Sequence, residues 1–181
     1  MSGDERLRLF CALRLPAEAV AELASWQLAN LRGGRIVPPE NLHVTLAFLG
    51  SRPAGDTGAV GEALDSVALG AGGIVLRVRG YRETRSVGML ELDDDESRAR
   101  GLAEQLQARL ESLGLYRREA RPWLPHLTVL RFREHATRSR LSPNLDSLPK
   151  TFAPSDAAVF ISRLRSGGAQ YDVLEAVALG G

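Results

Sequence analysis

The sequence predicts an α+β protein built from two similar lobes, and three observations lead to this prediction. Apolar runs of strand length alternate with stretches of helical spacing along the 181 residues. A short pattern, His-x-Thr-x, occurs twice, at residues 43–46 and 126–129, each time inside an apolar run. The elements around the two copies follow a similar order, and no linker separates them. We therefore expect one compact domain over residues 1–181, with a cleft between its two lobes.

The first half is predicted to contain a strand, a helix, the first motif strand and a second helix. Residues 7–13 form an apolar run that indicates the opening strand. A helix is predicted between Pro16 and the pair Gly33-Gly34, because apolar residues recur there at helical spacing: Val20, Leu23, Trp26, Leu28 and Leu31. After the motif strand, a loop with Pro53 and Gly55 leads into a helix over residues 56–69.

The second half is predicted to contain a hairpin, a helix, the second motif strand and two closing strands. The hairpin covers residues 74–81 and 87–92, the helix passes through Leu102, Leu106 and Leu110, and the closing strands cover residues 152–163 and 171–179. The acidic run at residues 93–96 precedes the helix. Acidic side chains stabilise a helix N-terminus, so this run is interpreted as helix capping rather than a metal site. Each half thus brings one motif to the shared cleft.

The repeated motif places an imidazole and a hydroxyl on the same face of each strand. Because strand side chains alternate, His43 and Thr45 point one way, and Val44, Leu46 and Phe48 point the other. His126 and Thr128 share a face in the same manner. A lone histidine on a strand is usually structural, but packing does not explain histidine and threonine on one face twice.

Two such histidines facing each other can act as a general acid and a general base. The unperturbed pKa of imidazole is about 6.5, so one ring can be neutral while the other is protonated near neutral pH. Metal-free hydrolysis of a phosphodiester needs a base that activates water and an acid that protonates the departing oxygen. Threonine hydroxyls can hold the phosphoryl oxygens. The third histidine, His135, lies in a charged stretch and is expected to be solvent exposed. We predict this hydrolysis without a metal ion or other cofactor.

These residues resemble the two-histidine phosphoesterases, and within them the RNA 2',3'-cyclic phosphodiesterases, also called 2'-5' RNA ligase-like proteins. The resemblance extends over nearly the whole chain. Residues 8–12 are similar to the family's opening strand, residues 37–50 to its first motif, and residues 121–131 to its second. Ser162, Leu164, Gly168 and Tyr171 match positions of its closing hairpin, whereas Met89 stands where many relatives carry tryptophan.

The resemblance implies a bilobal LigT-like fold, with a rough twofold axis, an antiparallel sheet and flanking helices in each lobe, and the active site between them. It also implies hydrolysis of terminal RNA 2',3'-cyclic phosphates to 2'-phosphomonoesters. His43 would then donate a proton to the departing oxygen and His126 would accept one from water, with Thr45 and Thr128 on the phosphoryl oxygens. Proton transfer is reversible, so weak ATP-independent 2'-5' RNA ligation would need no further residues.

Two more substrate-binding residues follow from the comparison with this family. Arg131 stands where relatives place an arginine that reaches the phosphate. Strict alternation from His126 aims Arg131 at the opposite face, so a bulge or a strand end is required. Phe10, on the opening strand, either offers an aromatic face to a base or is part of the core.

Composition limits the classes of partner and the compartment. The net charge of +1 argues against a protein that coats nucleic acid. Arginines flank the second motif at positions 117, 118, 121 and 133. They either line an approach path for RNA or form a solvated charged face. The only lysine, Lys150, lies in a polar loop, which does not favour a lysyl-adduct ligase. No membrane-length apolar span or secretory signal is present, and Cys11 lies in an apolar run. We expect a cytoplasmic monomer with a buried thiol, no membrane association and no obligate protein partner.

The expected ligand is RNA with a 2',3'-cyclic phosphate end or a small nucleotide phosphodiester. Two other functions stay open at this stage. One is cleavage of another small cyclic nucleotide or of a 2'-5' oligonucleotide by the same two histidines. The other is a non-catalytic RNA-binding module, which would keep the arginines and tolerate the loss of either histidine.

Overall fold

The computed structural model describes residues 5–133 and 137–180, and it is a mixed α+β structure as predicted. His135 lies outside the described residues. The described part contains three helices, α1 (Ala17–Asn30), α2 (Thr57–Ala68) and α3 (Arg98–Ser112). Its strands are β1 (Arg6–Arg14), β2 (Arg35–Ile36), β3 (His43–Pro53), β4 (Leu76–Glu83), β5 (Val87–Asp93), β6 (His126–Arg131), β7 (Thr151–Phe152), β8 (Asp156–Arg165) and β9 (Gly168–Ala178).

The strands form two antiparallel sheets, and each sheet carries one motif strand. The first sheet has the order β3-β1-β8-β9, with the first motif on its edge strand β3. The second sheet has the order β2-β6-β5-β4-β7, with the second motif on β6. The prediction of two antiparallel sheets, one for each motif, is therefore confirmed. β3 and β6 contact each other, so the two motifs meet where the sheets face each other.

The two sheets do not correspond to the two halves of the sequence, although each half supplies one of the two motif strands. β8 and β9, the last strands, complete the first sheet beside β1. β2, from the first half, pairs with β6 in the second sheet. The closing strand predicted from residue 152 is also two strands. Pro154 lies between them and has no N–H for a strand ladder, so β7 ends on β4 and β8 begins anew on β1.

The acidic run before α3 acts as the sequence predicts, but through one residue. A carboxylate oxygen of Asp94 accepts the backbone N–H of Arg100 in the first turn of α3 at 2.8 Å. Asp93 and Asp95 instead pair with Arg77 on β4. Within residues 5–133 and 137–180, no three His, Cys, Asp or Glu side chains are grouped to hold a metal ion.

The thiol of Cys11 is buried, as predicted, and burial raises its pKa to about 12. Cys11 lies on the face of β1 that packs into the main core together with Leu9 and Leu13. Phe10 and Ala12 lie on the other face, toward the cleft. None of the described helices has the length and apolarity needed to span a membrane.

Candidate active site

The two motif strands have the same burial pattern, and each carries a bulge after its threonine. In β3 the partners on β1 shift between Thr45 and Ala47, so Leu46 is the extra residue. In β6 the partners on β5 shift between Thr128 and Leu130, so Val129 is the extra residue. Both strands alternate between half-buried and buried residues up to the extra residue, bury the residue after it as well, and expose the next one. A bulge reverses the alternation, so this exposed residue returns to the face of the histidine and threonine.

The exposed residues after the bulges are Phe48 on β3 and Arg131 on β6. The bulge that Arg131 requires is present, and a guanidinium nitrogen of Arg131 donates to the hydroxyl of Tyr171 at 3.4 Å. The sequence-based expectation that Phe48 points away from His43 is wrong. The equivalent bulge in β3 turns Phe48 toward the cleft, where 46% of it is exposed.

The ring of His43 is fixed by two hydrogen bonds. Its Nδ1 lies 2.7 Å from the carbonyl oxygen of Asn41, and its Nε2 lies 3.0 Å from the hydroxyl oxygen of Thr45. A carbonyl only accepts, so Nδ1 carries the hydrogen and the Nε2 of the neutral ring accepts from Thr45. Asn41 is in turn held by its side-chain N–H, which donates to the carbonyl of Ala169 in β9 at 2.8 Å.

The pKa of His43 is lowered to about 4. Burial is the largest cause, because it disfavours the charged imidazolium. The hydrogen bond to Asn41 acts in the opposite direction, and the positive charges of Arg131 and His126 lower the pKa further. In the protein without substrate, His43 is therefore neutral at pH 7.

His126 is oriented in the same way as His43. Its Nδ1 lies 3.1 Å from the carbonyl oxygen of Leu124, two residues earlier, as Asn41 is two residues before His43. Nδ1 is again the donor, and Nε2 is left for the cleft. The end of each motif strand lies beside the beginning of the other. Arg131, at the end of β6, acts on the pKa of His43 at the start of β3, and Phe48 on β3 shares a cavity with His126 at the start of β6. The two strands therefore run in opposite directions across the cleft.

Phe10 belongs to the core and not to an open binding surface. It is 3% exposed and stacks on Phe160, with ring centroids 4.9 Å apart and planes at 5°. The rings of His43 and Tyr171 cover it, each with its centroid 4.9 Å away. Of the two alternatives for Phe10, the structure supports the core position, because neither ring face is free for a base. Phe10 instead forms the floor under the His43 imidazole.

Trp123 is a site residue to which the sequence analysis gave no role. Its indole N–H donates to the carbonyl of Thr45 at 2.9 Å, which joins the segment before the second motif to the first motif strand. Its position three residues before His126 is the one sequence signal that points to it. The neighbouring arginines 117, 118 and 121 are exposed, and Arg121 lines the cavity beside His126.

The described site combines two oriented imidazoles, two hydroxyls and one guanidinium, without a lysine. Such a set can transfer protons at two points of one substrate and stabilise negative charge between them. These are the requirements of phosphoryl chemistry on a small anionic group.

Comparison with known proteins gives a consistent result. A family model described as LigT like Phosphoesterase matches residues 13–84. An RNA 2',3'-cyclic phosphodiesterase of Thermus thermophilus is 33% identical over 193 aligned residues, which cover 97% of this chain and 91% of that protein. An RNA 2',3'-cyclic phosphodiesterase of Escherichia coli is 30% identical over 71% of this chain and 73% of its own length. The crystal structure of Escherichia coli LigT without ligand superimposes with a TM-score of 0.79 at 26% identity, over 98% of this chain and all of that one.

Proposed function

This chain belongs to the LigT-like phosphoesterase family, and on that premise we propose that it hydrolyses RNA 2',3'-cyclic phosphate ends to 2'-phosphomonoesters. One observation carries the proposal: the Nδ1 atoms of His43 and His126 are each held by a backbone carbonyl two residues earlier, so the Nε2 atom of each ring is the one that can exchange a proton with a substrate. In the free protein the Nε2 of His43 accepts a hydrogen bond from the Thr45 hydroxyl. The relatives named RNA 2',3'-cyclic phosphodiesterase support the choice of substrate.

In the proposed reaction, His126 accepts a proton from a water molecule as the water oxygen attacks phosphorus. The bond between phosphorus and the 3' oxygen breaks, and His43 donates a proton to that oxygen. The products are a 2'-phosphomonoester and a free 3' hydroxyl, and one water is consumed. His126 gains one proton and His43 loses one, so the total number of protons on the two histidines does not change. Negative charge grows on the phosphoryl oxygens, where Thr45, Thr128 and Arg131 donate hydrogen bonds.

The assignment of His43 as proton donor requires that substrate binding protonates it. Burial and the charges of Arg131 and His126 hold its pKa near 4 in the free protein. An anionic phosphate between these groups acts in the opposite direction, because a nearby negative charge favours the imidazolium. The substrate itself thus helps to create the acid that its hydrolysis needs. A 2'-5' ligation would use the same groups: a 5' hydroxyl attacks phosphorus in place of water and gives its proton to His126, the bond between phosphorus and the 3' oxygen breaks, and His43 protonates that oxygen.

The experiment is turnover of a short RNA ending in a 2',3'-cyclic phosphate, with EDTA present and with 2'- and 3'-phosphate products resolved. Wild type, His43→Ala and His126→Ala are compared, and His135→Ala is the matched control because it removes the remaining histidine. We expect metal-free turnover to the 2'-phosphate, a loss of about 100-fold or more in the first two variants, and no loss in the control.

No turnover of this RNA by wild type would contradict the proposal. A panel of small cyclic nucleotides and 2'-5' oligonucleotides then tests the other two-histidine chemistry. Binding of RNA that persists in His43→Ala, without any turnover by wild type, would indicate a binding module.

A further inference from the structure

An open groove of about 680 Å³ adjoins the proposed catalytic groups at Arg131. Its wall consists of Gly33, Gly34, Arg35, Arg131, Phe132 and Arg133. Neither the histidines nor the threonines of the two motifs are part of this wall. Arg131 also acts on the pKa of His43, so this arginine joins the groove to the catalytic groups. An anion bound in the groove is therefore a neighbour of the reacting phosphate and not the reacting phosphate itself.

The charged residues of this wall are all arginines. Arg35 on β2 stands directly opposite Arg131 on β6 in the ladder, so the two side chains share one face of the sheet. Within the described part of the chain, neither guanidinium forms an ion pair with a carboxylate. Like charges on directly opposite residues repel each other, and an anion between them removes this repulsion.

Both guanidinium groups are held in place by the closing hairpin. The Nη1 of Arg35 donates to the carbonyl of Gly167 at 2.7 Å, and the same group packs where a Cβ of residue 168 would lie. Arg131 donates to the hydroxyl of Tyr171 at 3.4 Å. A carbonyl and a hydroxyl do not neutralise a guanidinium, so each arginine keeps its charge and further N–H groups for a ligand.

Two glycines keep the groove open beside these arginines. Gly33 has a φ of +76°, and a Cβ there would meet open space. A Cβ on Gly34 would lie 2.6 Å from the carbonyl oxygen of Arg131, so glycine is needed for β2 to begin this close to β6. The absence of side chains at these two positions lets a chain-like ligand come close to the backbone.

The cavity beside His126 is less suited to a second anion. Arg82 and Arg121 are part of its wall, but Glu119 is part of it as well. Arg82 also pairs with Glu91, with 3.2 Å between nitrogen and oxygen. A carboxylate competes with a phosphate for the N–H groups of a guanidinium. The groove at Arg35 has no such competitor among its wall residues.

We propose that this groove binds the phosphodiester on the 5' side of the terminal nucleotide of the RNA, and that Arg35 is the residue that holds it. The planar guanidinium can donate two parallel hydrogen bonds to a phosphate. In an RNA chain this phosphodiester is the anion next to the cyclic phosphate, which matches two adjacent arginines of which one acts on His43. The inference rests on the proposed function for the position of the reacting phosphate. The enzyme then distinguishes an RNA end from a free cyclic mononucleotide.

The test measures equilibrium binding by calorimetry with three ligands that all end in a 2'-phosphate. They are uridine 2'-phosphate, the uridine dinucleotide with its natural phosphodiester, and the same dinucleotide with an uncharged methylphosphonate linkage. Wild type, Arg35→Gln and Arg35→Lys are compared. Arg98→Gln is the matched control, because Arg98 is an exposed arginine on α3 that pairs with Glu96 and is not part of the groove. Turnover of the corresponding 2',3'-cyclic phosphates is measured in parallel.

We expect wild type to bind the natural dinucleotide about 10-fold more tightly than the methylphosphonate dinucleotide, because hydrogen bonds between charged groups are the stronger ones. This difference should shrink as salt is added. Arg35→Gln should lose most of the difference and leave the affinity for uridine 2'-phosphate unchanged. Arg35→Lys keeps the charge and should retain part of the difference, and Arg98→Gln should retain all of it.

Two results would overturn the proposal: equal affinity of wild type for the two dinucleotides, or an equal loss for all three ligands in Arg35→Gln. If wild type also turns over the cyclic phosphates in that case, the hydrolytic function stands without this groove. Binding that depends on the charge of the linkage and on Arg35, without any turnover, would support the groove and reject the hydrolytic function.

Discussion

Gln27 and Gln107 make the same hydrogen bond to the two motif strands. Gln27 on α1 donates its Nε2–H to the carbonyl of Val129 at 2.9 Å, and Gln107 on α3 donates to the carbonyl of Leu46 at 2.8 Å. Both acceptors are the extra residues of the bulges. Each helix thus holds the motif strand that belongs to the other half of the sequence, at the point that returns Phe48 or Arg131 to the cleft.

The two glutamines are expected to differ in their contribution to stability. The carbonyl of Val129 also accepts the backbone N–H of Val37 at 3.1 Å, and the Oε1 of Gln27 is buried without a partner among the described residues. The Nε2 of Gln27 also donates to the carbonyl of Val37 at 3.1 Å. Gln27→Met removes this hydrogen bond, but it also removes the buried unpaired Oε1, so the net change in the free energy of unfolding should be less than about 1 kcal/mol. Gln107→Met takes the side-chain donor from a buried carbonyl and should cost about 1–3 kcal/mol.

Urea unfolding of both variants measures the two costs, and kcat/KM shows whether the bulges still position the site. We expect a larger fall in kcat/KM for Gln107→Met than for Gln27→Met. Equal losses of stability in Gln27→Met and Gln107→Met would contradict the prediction, because they would show that the Val37 N–H at the Val129 carbonyl does not compensate for the lost side-chain donor.

The titration of His43 should differ between the free protein and the complex. Its lowered pKa, about 4, predicts that an NMR titration finds the ring neutral down to about pH 4. Inorganic phosphate should raise this pKa, since the anion offsets the charges of Arg131 and His126. One limb of the pH profile of kcat/KM should lie near pH 4 and shift upward in the profile of kcat. A pKa of His43 near 6.5 in the free protein would contradict this prediction.

The same shift makes the folded state less stable in acid. Because the folded pKa of His43 lies below the unfolded value, the unfolded chain binds more protons between about pH 6.5 and 4. The free energy of unfolding should fall as the pH falls through this window, by at most about 3 kcal/mol from this group. His43→Gln, which does not titrate, should lose this part of the pH dependence in urea unfolding measured from pH 7 to 4.

Glu83 is the carboxylate whose loss should cost the most stability. Its side chain is 3% exposed and pairs with Arg138, and it accepts the Tyr81 hydroxyl at 2.9 Å and the Leu141 N–H at 3.1 Å. Burial by itself raises the pKa of Glu83, but these hydrogen bonds outweigh it and the pKa is lowered. Its contribution to stability is therefore present above the ordinary pKa of 4.5 and is lost as the pH falls through the folded value.

Glu83→Gln should lower the free energy of unfolding by about 3–5 kcal/mol, because it leaves the Arg138 charge without its partner. The matched control is Glu96→Gln. The pair of Glu96 with Arg98 is solvent exposed, so this variant should lose less than about 1 kcal/mol. Thermal unfolding of both variants provides the comparison, and similar losses would contradict the prediction.

Cys11 should not react in the folded protein. Its thiol is buried and its raised pKa, about 12, leaves almost no thiolate at neutral pH. Treatment with N-ethylmaleimide should leave both the mass and the activity of the native protein unchanged. Modification in urea, followed by mass measurement, is the positive control.

The sequence predicts local elements well because their signals are local. The helical spacing before Gly33 and the paired runs before α3 correspond to α1 and to the hairpin of β4 and β5. It does not predict which sheet a strand joins. The pairing of β8 with β1 depends on contacts between residues far apart in the chain, and the short strands β2 and β7 have too few residues for a pattern.

The site shows the same division. Histidine and threonine on one face follow from simple alternation, so the two motifs are predictable. Alternation alone places Phe48 on the wrong face, because the bulge at Leu46 has no glycine or proline to mark it. The sequence does not decide between the two roles of Phe10, since its burial depends on Phe160 and Tyr171, which come from the far end of the chain.

The interleaving of the two sheets has a consequence for the order of folding during synthesis. β1 lies between β3 and β8, so the first sheet cannot close until Asp156–Arg165 has left the ribosome. β2 waits for β6 in the same way. Contacts between residues this distant in sequence form slowly. The chain between them must lose conformational entropy before the contacts can stabilise the fold. We therefore expect both sheets to form together after translation has passed β8, in one step that includes the two lobes.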